Sequence, residues 1–148
     1  MTITIGKLAK AAGVKIDTIR YYERQGLIEP ARRTEAGYRQ FDRDAIRRVM
    51  FIRTAQSVGF TLSEIMRLIN FDGSSQATAA DVLKATEAKI EAHTKKMQEL
   101  RKLKKTLMHI AQLCPGDETP ASECPILDFF YPDDATSLLA LKEIENDA

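Results

Sequence analysis

The sequence predicts a mainly α chain, a small winged helix-turn-helix domain followed by one long dimerisation helix, and three observations support this. Residues 79–114 contain neither Gly nor Pro, and a helix over them would run roughly 50 Å at about 1.5 Å per residue. Near the N-terminus two short helical patterns are joined by a turn containing Gly13, the arrangement of a helix-turn-helix. A basic segment follows, ARRTEAGYRQFD, in which Arg32, Arg33, Tyr38 and Arg39 flank Gly37 between two short extended pieces, as in a hairpin wing.

The 148 residues allow one small domain with an appendage. Their formal net charge of +1 conceals a segregation. Residues 1–75 carry 13 basic and 8 acidic side chains, residues 76–113 carry 8 and 4, and residues 114–148 carry 1 and 9. A basic body with an acidic tail points to a polyanionic partner. The chain has no run of 18 apolar residues and no signal-like apolar core at its start, so a cytoplasmic protein without a membrane partner is expected. In that reducing compartment two cysteines are thiols rather than a structural disulfide. Paired carboxylates, a nucleophile beside a base and a phosphate-cradling Gly loop do not appear, which argues against an enzyme.

Taken in order, Thr4 is placed as the cap of the first helix, with Ile3 and Leu8 as a hydrophobic staple and Gly13 as its stop. The second helix, KIDTIRYYERQG, turns Ile16, Ile19 and Tyr22 inward and stops at Gly26. The wing's guanidiniums can reach phosphates or a minor groove. A third helix is expected from near Asp42, with a broad apolar face of Ile46, Val49, Met50, Phe51 and Ile52. The fourth start is the best specified: Phe60 precedes the cap, Thr61 caps, Glu64 closes a capping box and Ile65 completes the staple.

After the polar loop 70–78, Thr78 caps the long helix. Its apolar positions Leu83, Ile90, Met97, Leu100, Leu103, Leu107 and Ile110 form a seam, which Thr86, His93 and Lys104 interrupt. Such a stripe reads as a short coiled coil that a homodimer would bury. The predicted division is a DNA-binding domain at 1–75, a dimerisation helix at 76–113, a cysteine-bearing effector loop at 114–127 and an acidic tail at 128–148 with a short helix through Leu138, Leu141 and Ile144.

Cys114 and Cys124 are separated by nine residues that include Pro115, Gly116 and Pro120. A loop this stiff could bring its ends together and present two thiolates to one thiophilic ion. The same pair would also suit a reversible dithiol redox sensor. In a third reading the cysteines are bystanders and the aromatic run Phe129, Phe130 and Tyr131 takes an organic ligand. His93 and His109 read as seam or surface residues.

The strings IGKLAKAAGVKIDTIRYYERQGLIEPAR, GYRQFD and AIRRVMFIRTAQSVGFTLSEIMRLI resemble the mercury-resistance regulator (MerR) family of bacterial transcription regulators from Ile5 to Ile69 without a break. The long helix and cysteine loop extend the likeness to about Leu127. The resemblance implies a homodimer joined by an antiparallel coiled coil of the long helix. It implies binding to double-stranded promoter DNA, which the inducer-bound dimer distorts so that RNA polymerase engages both promoter elements. By residue, it places Thr18, Arg20, Tyr21 and Arg39 among the DNA contacts, with Tyr22, Tyr38 and Arg53 helping to position phosphates. Lys15 stands where a small polar residue is usual, weakening the cap and strengthening phosphate attraction.

The antiparallel arrangement would set the start of one long helix beside the partner's cysteine loop. There the zinc and mercury sensors carry a third cysteine, and this chain has Ala79, a third-ligand position left unfilled. The Cys-Pro-Gly-Asp and Cys-Pro-Ile strings look nearest to the copper-type sensors, which hold a monovalent ion, Cu(I), Ag(I) or Au(I), between two loop cysteines. The loop is longer than theirs. That leaves Zn(II), Cd(II) or Hg(II) as alternatives, with Asp117, Glu118, Glu123, a histidine or water completing the shell.

Overall fold

In the computed structural model, which describes residues 1–131, helix α1 (Ile5–Ala12) begins where the extended Thr4 accepts a 3.3 Å hydrogen bond from the Lys7 N–H. It ends at Gly13, whose φ of 65° places the chain in the left-handed region that glycine tolerates. Helix α2 (Ile16–Arg24) follows after Lys15, which makes no side-chain cap. Its inward face is Ile19 and Tyr22. Ile16, expected inside, is 40% exposed: it opens the helix at the turn, one step before the packed face begins.

Strands β2 (Arg32–Arg33) and β3 (Arg39–Phe41) pair antiparallel, with Arg32 opposite Gln40 and Arg33 opposite Arg39. Thr34 closes the turn, since its N–H donates to the Tyr38 carbonyl at 2.9 Å and its hydroxyl accepts from the Tyr38 N–H at 3.0 Å. The three arginines therefore lie on the strands rather than between them. A third strand, β1 (Ile3–Thr4), pairs with the other edge of β3, Ile3 opposite Phe41. Two residues are too few to show any period, so this strand left no signal in the sequence.

Asp42 Oδ1 accepts from the Ala45 N–H at 3.0 Å, and helix α3 (Asp44–Ser57) starts just after it. Ala45, Val49 and Ile52 are buried, but Met50 and Phe51 are 54% and 41% exposed. The expected broad face is narrower because residues 50 and 51 lie well round the helix from 45, 49 and 52, at 100° per residue. Helix α4 (Leu62–Asp72) has the capping box in full: the Glu64 N–H donates to the Thr61 hydroxyl at 3.3 Å, and the Thr61 N–H donates to Glu64 Oε2 at 2.8 Å. Leu8, Ile19, Phe41, Val49, Ile52 and Ile65 are fully buried and form the centre of the core.

Helix α5 (Ala79–Ala111) runs unbroken for 33 residues. Its start is a reciprocal cap in which the Thr78 N–H donates to Asp81 Oδ2 at 2.8 Å and the Asp81 N–H to the Thr78 hydroxyl at 3.4 Å. These bonds hold the Asp81 carboxyl below its ordinary pKa. The chain divides into two compact units, Met1–Lys89 and a second from Ile90, so α5 begins in one and ends in the other. Beyond α5 come a 3₁₀ turn (Ala121–Glu123) and the short α6 (Pro125–Phe129), where Phe129 and Phe130 meet edge to face. The tail helix expected through Leu138, Leu141 and Ile144 lies outside the described residues. Among those residues no helix is long and apolar enough to cross a membrane.

Candidate nucleic-acid interface and cysteine loop

Helix α2 and the wing present most of the residues expected at DNA. Lys15, Arg20, Tyr21, Arg32 and Tyr38 are exposed, Tyr38 to 71%, and Thr18 is half-buried. Arg20 Nη1 lies 3.4 Å from Asp17 Oδ1 one turn earlier, a contact weak enough to yield to a phosphate. The Arg24 guanidinium stands 5.9 Å from the centre of the Tyr21 ring. Arg32 Nε donates to Gln40 Oε1 at 2.6 Å across the hairpin. Arg39 is half-buried, with its Nε donating to Glu23 Oε1 at 2.9 Å.

Two of the expected residues are anchored inside the domain. Tyr22 is buried, and its hydroxyl donates to Gln56 Oε1 at 2.8 Å. Burial pushes the phenol's pKa up, partly offset by the Arg53 charge. Arg53 Nη1 donates to the Ala12 carbonyl at 2.8 Å, so a cation closes the C-terminus of α1.

Two residues escaped the sequence reading. Glu23 faces the wing from α2 and meets both Arg39 and Arg33. Its signal was a carboxylate four residues after the buried Ile19, on the inward side of the helix. Lys89 of α5 reaches back to Glu64 Oε2 at 2.7 Å, with its ammonium 5.6 Å from the centre of the Phe60 ring.

The cysteine loop folds as its composition demands. The Cys114 N–H still donates to the Ala111 carbonyl, at 3.3 Å, and the chain then reverses at Gly116, whose φ is 68°. Asp117 Oδ1 accepts from the Thr119 N–H at 2.9 Å, an Asx turn, and bonding to Thr119 holds the Asp117 carboxyl below its ordinary pKa. Pro120 leads into the 3₁₀ turn, and the Cys124 N–H donates to the Ala121 carbonyl at 3.0 Å. The two sulfurs, both on half-buried residues, end 3.7 Å apart.

Among the described residues no group of three His, Cys, Asp or Glu side chains is placed to hold an ion. Asp117, Glu118 and Glu123, expected as possible further ligands, do not join the pair: Asp117 is engaged in its own turn, and Glu118 and Glu123 are exposed.

The chain matches two family models, one described as MerR HTH family regulatory protein over residues 3–72 and one as MerR, DNA binding over residues 46–110. It is 39% identical over 128 residues to the mercuric resistance operon regulatory protein of Bacillus cereus, covering 86% of this chain and 96% of that one. It is 33% identical over 126 residues to the HTH-type transcriptional regulator CueR of Escherichia coli O157:H7, covering 85% and 92%. The lead(II) complex of the transcription regulator PbrR691 from Ralstonia metallidurans CH34 superposes with a TM-score of 0.75 at 35% identity, covering 85% of this chain and 97% of that one. Relatives named for mercury and lead do not single out the copper type that the loop strings suggested. With the helix-turn-helix, the basic wing and the cysteine-bearing loop all inside the aligned span, the chain belongs to the MerR family of DNA-binding transcriptional regulators, which are not enzymes.

Proposed function

We propose that this chain is a homodimeric regulator of transcription that binds double-stranded promoter DNA and responds to a thiophilic metal ion held by Cys114 and Cys124. The observation that carries this reading is the 3.7 Å separation of the two sulfurs. With metal–thiolate bonds of about 2.3 Å, one ion reaches both sulfurs at any separation up to about 4.6 Å. Soft thiolates favour soft ions over Mg²⁺ and Ca²⁺. A bound ion would supply positive charge to stabilise both thiolates and would tie the end of α5 to the start of α6.

The monovalent ions Cu(I), Ag(I) and Au(I) come first, because two thiolates satisfy them and Ala79 offers no third. A specific observation favours a second reading, a divalent sensor for Zn(II), Cd(II) or Hg(II). The 3.7 Å separation is close to the edge of a tetrahedron with bonds of about 2.3 Å, about 3.8 Å, and shorter than a linear site of such bonds requires. The remaining donors would then come from the partner protomer or from water.

The dimer is supported by α5 itself. Leu83, Ile90, Met97, Leu100, Leu103 and Leu107 are each 53–60% exposed, and Ile110 is the helix's one buried residue. A second copy running antiparallel would cover this seam and bring Ala79 beside the partner's loop. On DNA, Thr18, Arg20 and Tyr21 of α2 make the base-proximal contacts, Arg32 and Arg39 of the wing meet phosphates with Lys15 and Tyr38, and Tyr22 and Arg53 brace the helices behind them. The ion acts by binding one dimer conformation more tightly than the other, and the favoured one distorts the operator for RNA polymerase.

A metal competition titration at known dimer concentration, beside transcription from a responsive promoter, tests the reading. Two equivalent sites per dimer preferring Cu(I) to Zn(II), lost in Cys114→Ser and Cys124→Ser, are expected. Normal responses of both variants to every thiophilic ion would defeat it.

A further inference from the structure

We infer that Glu23 is a positioning residue for DNA reading: its carboxylate holds Arg39 and Arg33 of the wing against α2 and keeps them from phosphates that lie out of register. The inference rests on the DNA-binding reading above. Glu23 stands near the end of α2 with its side chain only 16% exposed. Its Oε2 lies 2.7 Å from Arg39 Nε, its Oε1 accepts from that N–H at 2.9 Å, and Arg33 Nη2 is 3.9 Å from Oε1.

Arg33 and Arg39 are direct cross-strand partners in the β2–β3 hairpin. Like charges so placed repel and loosen a two-stranded ribbon. Glu23 offsets that repulsion from outside the sheet, and among the described residues it is the one acid within ion-pair distance of either arginine. It thereby fixes the distance between the two elements that touch DNA.

The clamp is also exchangeable. One N–H aligns well with Oε1 alone, so Oε2, although buried and close to the cation, receives no hydrogen bond. An arginine held this way can leave for a phosphate at little net cost when the phosphate is correctly placed, because one anion replaces another. Phosphates elsewhere along a duplex must compete with Glu23 without the compensating contacts of α2. The carboxylate thus weakens binding to arbitrary sequence more than binding to the operator.

The test compares full-length wild type with Glu23→Gln, which keeps the side chain's size and removes its charge. One probe is a duplex enriched from a random pool by the wild-type protein, the other a scrambled duplex, each titrated across salt concentrations. The variant should show a specific-to-scrambled affinity ratio reduced about tenfold, within the span of one base-discriminating contact. Its salt slope on scrambled DNA should steepen by about one for each arginine that gains a phosphate. Glu23→Asp, which keeps the charge, should restore most of the ratio.

A wing that merely collapsed would bind both probes more weakly with a shallower slope, and that result overturns the inference. So does an unchanged ratio, or equal ratios for the Gln and Asp variants. A wild-type protein that enriched no duplex would instead overturn the DNA reading.

Discussion

Glu64→Gln isolates the charge at the junction of α4 and α5. The amide keeps an oxygen for the Thr61 N–H but gives up the ion pair with Lys89 Nζ, 2.7 Å from Oε2, and the negative charge at the N-terminus of α4. The Glu64 side chain is 35% exposed and the Lys89 side chain 12%, so solvent screens the pair and it is worth at most about 1 kcal/mol. A carboxylate in the first turn of a helix adds about 0.3–1 kcal/mol. Together the terms come to about 0.3–2 kcal/mol, and each 1 kcal/mol lowers the unfolding midpoint of a unit the size of Met1–Lys89 by about 4–8 °C.

The pH dependence has a definite sign. The Lys89 hydrogen bond first, then the Thr61 backbone, hold the Glu64 carboxyl below its ordinary pKa. A carboxylate depressed in the folded state stabilises fully above its unfolded value of about 4.3, and the contribution is lost as the pH falls through the folded value. Thermal unfolding followed by circular dichroism should show a constant gap between wild type and variant near neutrality that closes below about pH 4.3. Lys89→Met and the double variant should return a coupling energy of about 0.5–1 kcal/mol. No gap at neutral pH, or a gap that widens on acidification, would refute the junction.

Tyr22→Phe removes a 2.8 Å hydrogen bond and leaves Gln56 without its donor, so denaturant unfolding should register a loss of about 1–2 kcal/mol while operator affinity holds within about twofold. The reverse pattern, full stability with weak binding, would move Tyr22 to the phosphates. Gly116→Ala forces a Cβ onto a residue at φ 68°, and since that atom would meet nothing within 4 Å, the cost of about 1 kcal/mol is backbone strain in the loop. Competition against a chromophoric chelator should show ion affinity lowered by up to about fivefold, the full strain expressed as a ratio when the free loop relaxes and the bound loop must hold it. Ala79→Cys supplies the third thiolate, and the same titration should shift preference toward Zn(II) or Hg(II) over Cu(I) by about tenfold or more. An unchanged order of preference would contradict the antiparallel pairing that brings position 79 to the partner's loop.

The signals legible in the sequence were those generated within a few residues. Thr4, Thr61 and Thr78 cap helices as read, because a cap involves a side chain and an N–H three positions on. The sulfur approach was legible for the same reason: Pro115, Gly116 and Pro120 restrict a short loop locally, whatever surrounds it. Features that depend on distant packing were not. The exposure of Phe51 and Met50 is decided by which side of α3 meets α1 and α4, and β1 exists because β3 has a second free edge. Glu23 drew no reading from the sequence, because its role exists only once the hairpin closes against α2.

Three arginines combine an internal contact with an expected place on the DNA-facing side. Arg32, Arg39 and Arg53 were read as reaching toward DNA, and each is engaged within the domain, with Gln40, Glu23 and the Ala12 carbonyl respectively. The two roles are compatible, because a guanidinium carries five N–H donors in a rigid fork and each of these contacts uses only one or two. A brace on one edge even orients the other edge for a phosphate, lowering the entropy lost on binding. Alanine at these positions would therefore remove the brace and the contact together and misassign the loss. Lysine keeps the charge but cannot fork, so Arg53→Lys should retain the phosphate attraction while loosening the hold on α1. Stability should then fall with little change in DNA affinity, whereas a guanidinium acting mainly by forking onto a phosphate would lose affinity with stability intact.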